Sequence, residues 1–250
     1  MKLDTETIGT GPDIVLLHSL LTDRTSFAAL AARLAQQRCV TLVNLPGFGA
    51  SPPAEPIAGW ADRIADLCGE LGPSKPDILG NGLGSFVALT LAAHHGELVG
   101  RLVLLGAALA FPDQARATFR SLAERAEREG MVSIADVAVA RMFTGDFVAA
   151  HPDIAAERKA VFLRIEPAVF AAAARSLATL DLTDEVERVR NPVLIVVGEK
   201  DGATPPVLGR ALADRLADAR FVELPGVGHA PHIHAPGMLI ETISPFLGLG

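Results

Sequence analysis

Residues 77–89, DILGNGLGSFVAL, have the pattern of a buried strand that turns sharply into a helix. This is the setting of a nucleophile elbow, whose flanking positions are glycine because the strand and helix backbones crowd together. Gly80 and Gly84 occupy those positions. The residue at the tip attacks a carbonyl or carbon centre and is normally Ser, Cys or Asp. Here it is Gly82, so the sequence predicts the scaffold for a nucleophile without the nucleophile itself.

Two other interpretations of this segment are weaker. Ser85 lies three residues further on, one turn into a helix that leads away from the tip, so we do not expect it to be the nucleophile. A dinucleotide-binding loop needs Gly-x-Gly-x-x-Gly early in the chain, with an acid about 20 residues later. Neither condition is met, because position 85 is Ser and the segment lies in mid-chain.

Two later loops carry candidate partners for such a nucleophile. Asp201 lies in GEKDGATP, directly after an apolar run, and His229 lies in GVGHAP, after the last apolar run. A carboxylate can hold an imidazole in one tautomer, and the imidazole can act as general base. An Asp in an Asp-Gly loop is more often a turn residue, and a lone loop His is more often solvated. The chain order of elbow, acid and base nevertheless makes Asp201 and His229 the predicted catalytic pair.

The run LLHSLL at residues 16–21 is a strand end followed by a loop. Such a loop supplies one backbone amide to an oxyanion and the residue after the elbow supplies another, so Leu20 and Leu83 are the predicted oxyanion hole.

His18 is expected to bond loop backbone beneath the site. His232 and His234 have the spacing of a metal pair, but without carboxylates a surface or loop role is expected. We predict no metal and no organic cofactor.

The elements that must position these residues alternate along the chain. Short apolar runs predict buried strands at residues 14–18, 40–44, 78–80, 102–105, 193–197 and 221–224. Stretches of helical period lie at residues 27–35, 60–71, 85–94, 207–216 and 238–246. This alternation predicts an α/β fold with a mostly parallel central sheet flanked by helices. Only helical patterns occupy residues 111–190, so we predict a core of residues 1–110 and 191–250 and an inserted helical cap of residues 111–190.

With these motifs assembled, the chain resembles the α/β-hydrolase superfamily and, within it, the 3-oxoadipate enol-lactonases. The resemblance covers nearly the whole chain and is carried by HSLLTD at 18–23, NLPGFGAS at 44–51 and cap residues 129–144. It implies an α/β-hydrolase fold and an acyl-enzyme route on a carboxylic ester or lactone, without a cofactor. The chain departs from the family at Asn44, Leu21 and Met142, where Asp, Gly and Trp are usual. These positions border the pocket and leave the substrate open.

Gly82 leaves three hypotheses open. The first is a working ester or lactone hydrolase inactivated by an introduced change. The second is a natural enzyme without covalent catalysis, in which His229 acts as general base in hydrolysis by water, or in an isomerase, lyase or cyclase reaction. The third is a pseudo-hydrolase that binds a small molecule under its cap. Retained Asp201 and His229 argue against the third, because a binding protein needs no aligned acid and base.

Composition limits the partners. The net charge of −7 and the lack of a basic run argue against nucleic acid, and no apolar run approaches the roughly 20 residues that cross a membrane. Acids near the N-terminus argue against a signal peptide and favour a cytoplasmic protein. The expected partner is a small-molecule ester or lactone, and a homodimer is left open. In the cap, the candidates for holding a substrate carboxylate are Arg141, Arg158, Arg164 and Arg175, most of them expected at the surface.

Overall fold

A seven-stranded sheet forms the centre of the protein, as seen in a computed structural model that describes residues 2–54 and 56–250. The strands are β1 (Thr5–Ile8), β2 (Asp13–Leu17), β3 (Cys39–Val43), β4 (Asp77–Asn81), β5 (Leu102–Leu105), β6 (Val193–Gly198) and β7 (Ala219–Leu224). Their order is β1-β3-β2-β4-β5-β6-β7. Every pairing is parallel except that of β1 with β3. The predicted α/β fold with a mostly parallel sheet is therefore confirmed.

Helices cover both faces of the sheet. They are α1 (Ala28–Leu34), α2 (Ala58–Glu70), α3 (Leu83–His95), α9 (Pro206–Ala213), α10 (Pro231–His234) and α11 (Pro236–Leu247), and further helices are inserted between β5 and β6. Side chains alternate along each strand, so Ile14 and Leu16 pack into one apolar cluster and Val15 and Leu17 into the other. Burial on both faces explains why the parallel strands are continuous apolar runs in the sequence.

The inserted helices are α4 (Asp113–Glu129), α5 (Ala135–Met142), α6 (Gly145–Ala150), α7 (Pro152–Phe162) and α8 (Pro167–Thr179). They begin and end close together, because Ala110 and Asp181 form an antiparallel bridge at their base. Arg116 reinforces this base by donating hydrogen bonds to the carbonyl oxygens of Phe111, Ala178 and Leu180. The insertion thus leaves and rejoins the sheet at a narrow stem, and it contacts the core elsewhere through the bond of the Ala230 amide to the Met142 carbonyl oxygen.

The first strand was not predicted from the sequence. β1 contains the short segment TETI, whose residues are partly or fully exposed, and it is the antiparallel edge strand beside β3. An exposed edge strand carries little apolar signal, so pairing alone identifies it. Within the described residues, no helix combines the length and apolarity needed to cross a membrane.

Candidate active site

Gly82 forms the tip of a tight turn between β4 and α3. Its backbone adopts φ +51° and ψ −112°, a left-handed conformation that glycine adopts with little strain. The flanking glycines are required by space. A Cβ on Gly80 would lie 2.4 Å from the Gly84 carbonyl group, and a Cβ on Gly84 would lie 2.1 Å from the Leu17 carbonyl oxygen. The turn therefore has the geometry of a nucleophile elbow even though its tip has no side chain.

Asp201 and His229 come together in loops that follow β6 and β7. The Nδ1–H of His229 donates to Asp201 Oδ2 over 2.8 Å, and both side chains are buried. The amides of Ala203 and Thr204 donate to Asp201 Oδ1, each over 2.8 Å, and the Thr204 hydroxyl donates to Oδ2 over 2.8 Å. These bonds fix the carboxylate, which in turn fixes the imidazole ring with Nε2 free.

The charge state of Asp201 follows from these contacts. Burial raises the pKa of the carboxyl, but the charge and hydrogen bond of His229, together with the bonds from Thr204, outweigh burial and hold the pKa below its usual value. Asp201 is therefore an anion that stabilises a protonated His229. Sequence reasoning missed Thr204, although a Thr three residues after a loop Asp is a signal for such a turn.

The free Nε2 of His229 faces the tip of the elbow. A Cβ on Gly82 would lie 2.9 Å from His229 Nε2 and 3.4 Å from the hydroxyl oxygen of Ser19. The His229 loop is held in place from below, because Asn81 Nδ2 donates to the His229 carbonyl oxygen over 3.0 Å. The His229 imidazole and the Ser19 hydroxyl thus border the position that a side chain on residue 82 would occupy. Ser19 was not singled out from the sequence.

Leu20 and Leu83 line the same cavity as Gly82 and His229. Leu83 is the first residue of α3, so its amide has no partner within the helix and lies at the positive end of the helix dipole. The Leu20 loop is tied to the elbow, because the Gly84 amide donates to the His18 carbonyl oxygen over 3.1 Å. In the described part of the chain neither Leu amide bonds to another backbone group. Two amides without a backbone partner therefore belong to residues that line the cavity, and their role as an oxyanion hole stays a prediction.

Two polar residues near the site, His18 and Ser85, bond to backbone groups and do not point toward Gly82. His18 Nδ1 donates to the Ser19 carbonyl oxygen over 2.8 Å, and His18 Nε2 accepts from the Leu45 amide over 3.0 Å. Burial lowers the pKa of His18 to about 4, so it is neutral and supports the loop backbone. The Ser85 hydroxyl donates to the Gly80 carbonyl oxygen over 2.9 Å, back toward the strand.

The surface or loop role expected for His232 is wrong. The side chain is completely buried against the ring of Phe27, with ring centroids 4.4 Å apart, and burial lowers its pKa to about 3. His234 is partly buried, and its Nδ1 accepts from the Gly228 amide over 3.1 Å. His234 therefore supports the loop that carries His229, whereas neither ring nitrogen of His232 has a hydrogen-bond partner among the described residues. The described residues contain no cluster of three or more metal-ligating side chains.

The cavity above Gly82 is narrow, with a volume of about 30 Å³ open to water-sized molecules, and is lined largely by apolar side chains of the core and the inserted helices. Arg141 provides the positive charge in this lining. Its guanidinium carbon lies 5.6 Å from the ring centroid of Phe119. Burial lowers the pKa of Arg141 and the charge of Asp201 partly offsets this, yet Arg141 makes no hydrogen bond or ion pair within the described part of the chain. The guanidinium is thus a partly buried cation without an anionic partner among the described residues.

The other three candidate arginines are committed elsewhere. Arg158 is buried, contrary to the expectation for most of this group, and bonds the Thr25 hydroxyl and Glu157. Arg164 and Arg175 are exposed and form ion pairs with Asp23 and Glu127. Their charges are therefore neutralised by the protein itself.

The sequence profile of the family described as alpha/beta hydrolase fold matches residues 12–236. The chain belongs to this family. A relative from Chromobacterium violaceum, a pimeloyl-[acyl-carrier protein] methyl ester esterase, is 32% identical over 240 residues, with 93% of each chain covered. A relative of the same name from Aeromonas hydrophila is 30% identical over 265 residues, covering 99% of this chain and 100% of the relative.

Solved structures of other α/β hydrolases superpose on nearly the whole chain. A thermophilic esterase from Thermogutta terrifontis, with malate bound, has a TM-score of 0.90 and 30% identity over 98% of this chain and 93% of that one. The enol-lactonase from Burkholderia xenovorans LB400 has a TM-score of 0.92 and 27% identity over 98% and 96% of the two chains. The predicted resemblance, the fold, and an enzyme of the carboxylic ester hydrolase type are confirmed.

Proposed function

We propose that this α/β hydrolase acts on a small carboxylic ester or lactone, and that Gly82 has disabled its acyl-enzyme route. The observation that carries the proposal is the aim of His229. Its Nε2 faces the elbow tip, 2.9 Å from the position of a Cβ on residue 82, and Asp201 holds the ring from behind. A serine there would give up its proton to Nε2 while attacking the ester carbonyl, and the amides of Leu20 and Leu83 would stabilise the oxyanion.

Without that hydroxyl the acyl-enzyme cannot form. What remains is substrate binding, the oxyanion hole and the base, which in serine hydrolases leave about 10³- to 10⁴-fold acceleration over water. We therefore expect the Gly82 protein to be a slow hydrolase.

The substrate class that fits the cavity is an ester or lactone that also carries a carboxylate. Arg141 is a partly buried cation in an otherwise apolar lining, and a carboxylate would complete it with charge-assisted hydrogen bonds. The related Thermogutta esterase was solved with a dicarboxylate, malate, bound, which is compatible with this proposal. The helices of residues 111–190, which supply Arg141, would then act as the cap over a core of residues 1–110 and 191–250. A cytoplasmic location is part of the same proposal.

The proposal is tested with two p-nitrophenyl esters of similar size, the monoester of glutaric acid and the ester of butyric acid. We expect Gly82→Ser to raise kcat/KM on both by at least about 10³-fold, since the nucleophile is the missing part. Adding Arg141→Met to that variant should raise KM for the charged ester by about 10- to 100-fold, the value of a charged hydrogen bond, and leave the neutral ester unaffected.

Two outcomes would count against this proposal. A folded Gly82→Ser variant that hydrolyses neither ester removes the hydrolase function. If Arg141→Met changes KM equally for both esters, the proposed carboxylate on the substrate is refuted and the hydrolase function still stands.

A further inference from the structure

The space beside Gly82 is bordered by two polar groups that the acyl-enzyme scheme does not use together. His229 Nε2 lies 2.9 Å and Ser19 Oγ lies 3.4 Å from the point where a Cβ would stand. Both residues are at most 5% exposed, and both line the cavity that contains Gly82. With glycine at the tip, this space is open to a molecule from the cavity.

Ser19 has a proton to offer in this position. Its Oγ accepts a hydrogen bond from the Leu21 amide over 3.3 Å, which leaves its O–H free to donate. Ser19 Oγ and His229 Nε2 are not bonded to each other, although the two distances to the Cβ point place them no more than 6.3 Å apart (2.9 + 3.4). One water molecule bridges two polar groups that are separated by about two hydrogen-bond lengths, and this upper bound allows such a separation. For the same reason Ser19 has no base to activate it and is not itself the nucleophile.

We propose that Ser19 and His229 hold a water molecule beside Gly82, and that this water attacks the ester directly. Ser19 O–H donates to the water oxygen, one water proton points to His229 Nε2, and the remaining lone pair faces the substrate carbonyl carbon. This inference rests on the proposed hydrolase function and assigns to Ser19 the positioning of the nucleophile.

The step balances without a covalent enzyme intermediate. The water oxygen forms a bond to the carbonyl carbon as its proton passes to His229 Nε2, and the C=O electron pair moves onto the oxygen held by the amides of Leu20 and Leu83. The tetrahedral intermediate then collapses, the bond to the leaving oxygen breaks, and the proton on His229 passes to that oxygen. The products are the carboxylic acid and the alcohol, and the enzyme is unchanged.

The test compares Ser19→Ala in two backgrounds, the Gly82 protein and the Gly82→Ser variant. In the Gly82 protein we expect kcat for p-nitrophenyl butyrate to fall at least about tenfold with little change in KM, because the water loses one hydrogen bond. In the Gly82→Ser variant, the pre-steady-state burst of p-nitrophenol should change less than about threefold, since the serine attacks in place of water. Loss of the Leu21 amide contact is common to both backgrounds, so a purely structural effect would appear in both.

Two controls keep the result interpretable. Ser19→Thr retains a hydroxyl and should recover most of the lost kcat in the Gly82 protein. A fluorophosphonate probe should label the Gly82→Ser variant and leave the Gly82 protein unlabelled, as expected when no nucleophilic serine faces His229.

The outcomes separate this inference from the function beneath it. Two results would overturn the water mechanism and leave the hydrolase proposal standing. One is an equal loss of rate from Ser19→Ala in both backgrounds. The other is a Gly82 protein that hydrolyses no ester above the buffer rate while the Gly82→Ser variant is active. Inactivity of both proteins on every ester would overturn both.

Discussion

Placing any side chain on residue 82 should lower stability, whatever it does to the rate. At φ +51° and ψ −112° an L-residue is strained by about 1–3 kcal/mol. The new Cβ would also lie 2.9 Å from His229 Nε2, so the ring must move by a few tenths of an ångström against its bond to Asp201. We therefore expect Gly82→Ala and Gly82→Ser each to lose about 1–3 kcal/mol of unfolding free energy.

The same two variants should diverge in activity. They impose the same strain and differ by a single hydroxyl, so alanine is the matched control for serine. The alanine methyl group fills the space beside His229 and should remove the residual hydrolysis of the Gly82 protein, whereas serine should raise the rate by several orders of magnitude. Urea unfolding followed by circular dichroism gives the stability, and p-nitrophenol release gives the rate.

Two results would refute this reasoning. If Gly82→Ala unfolds at the same urea concentration as the Gly82 protein or a higher one, the elbow is not strained. If Gly82→Ala keeps the full residual rate, no reacting water occupies the space beside Gly82.

Two further predictions concern buried polar groups. In the unfolded chain His18 and His232 have a pKa of about 6.5, whereas burial in the folded protein lowers the pKa to about 4 and about 3 respectively. Each histidine should therefore lower the unfolding free energy by about 1.4 kcal/mol per pH unit as the pH falls from about 6 to about 4. His232→Phe should reduce that slope in urea titrations at several pH values, and an unchanged slope would contradict the assignment. Ser85→Ala should lower stability by about 1–2 kcal/mol through loss of the bond to the Gly80 carbonyl oxygen. In the Gly82→Ser background it should leave kcat within about threefold, and a loss of activity there would make Ser85 a reacting group.

Most of the sheet and the placement of the candidate site could be predicted from the sequence because they depend on local signals. Apolar runs marked the buried strands, and parallel strands bring the loops after them to one edge, where Gly82, Asp201 and His229 meet. Gly80 and Gly84 were predictable because backbone crowding at an elbow admits no other residue.

The features that escaped prediction depend on contacts between distant segments. Strand β1 is defined by its pairing with β3, and His232 is buried because Phe27 covers it. Arg141 could not be told from the three other candidate arginines by sequence, because only packing shows that it lines the cavity with no ionic partner among the described residues. Ser19 becomes a candidate site residue only because the fold brings it close to the elbow, which lies more than sixty residues further along the chain. Periodicity carries no information about such pairings.

The narrow stem at Ala110 and Asp181 has a consequence for how this chain can be altered. Since the inserted helices leave and rejoin the sheet at neighbouring points, the loop that connects β5 to β6 is already closed at its base. Closing a long or a short loop across such a stem differs little in entropy, because the cost grows only with the logarithm of length. Closure entropy therefore sets little limit on the length of an exchanged insertion, and the new helices would have to replace the bonds that Met142 and Arg158 make with Ala230 and Thr25.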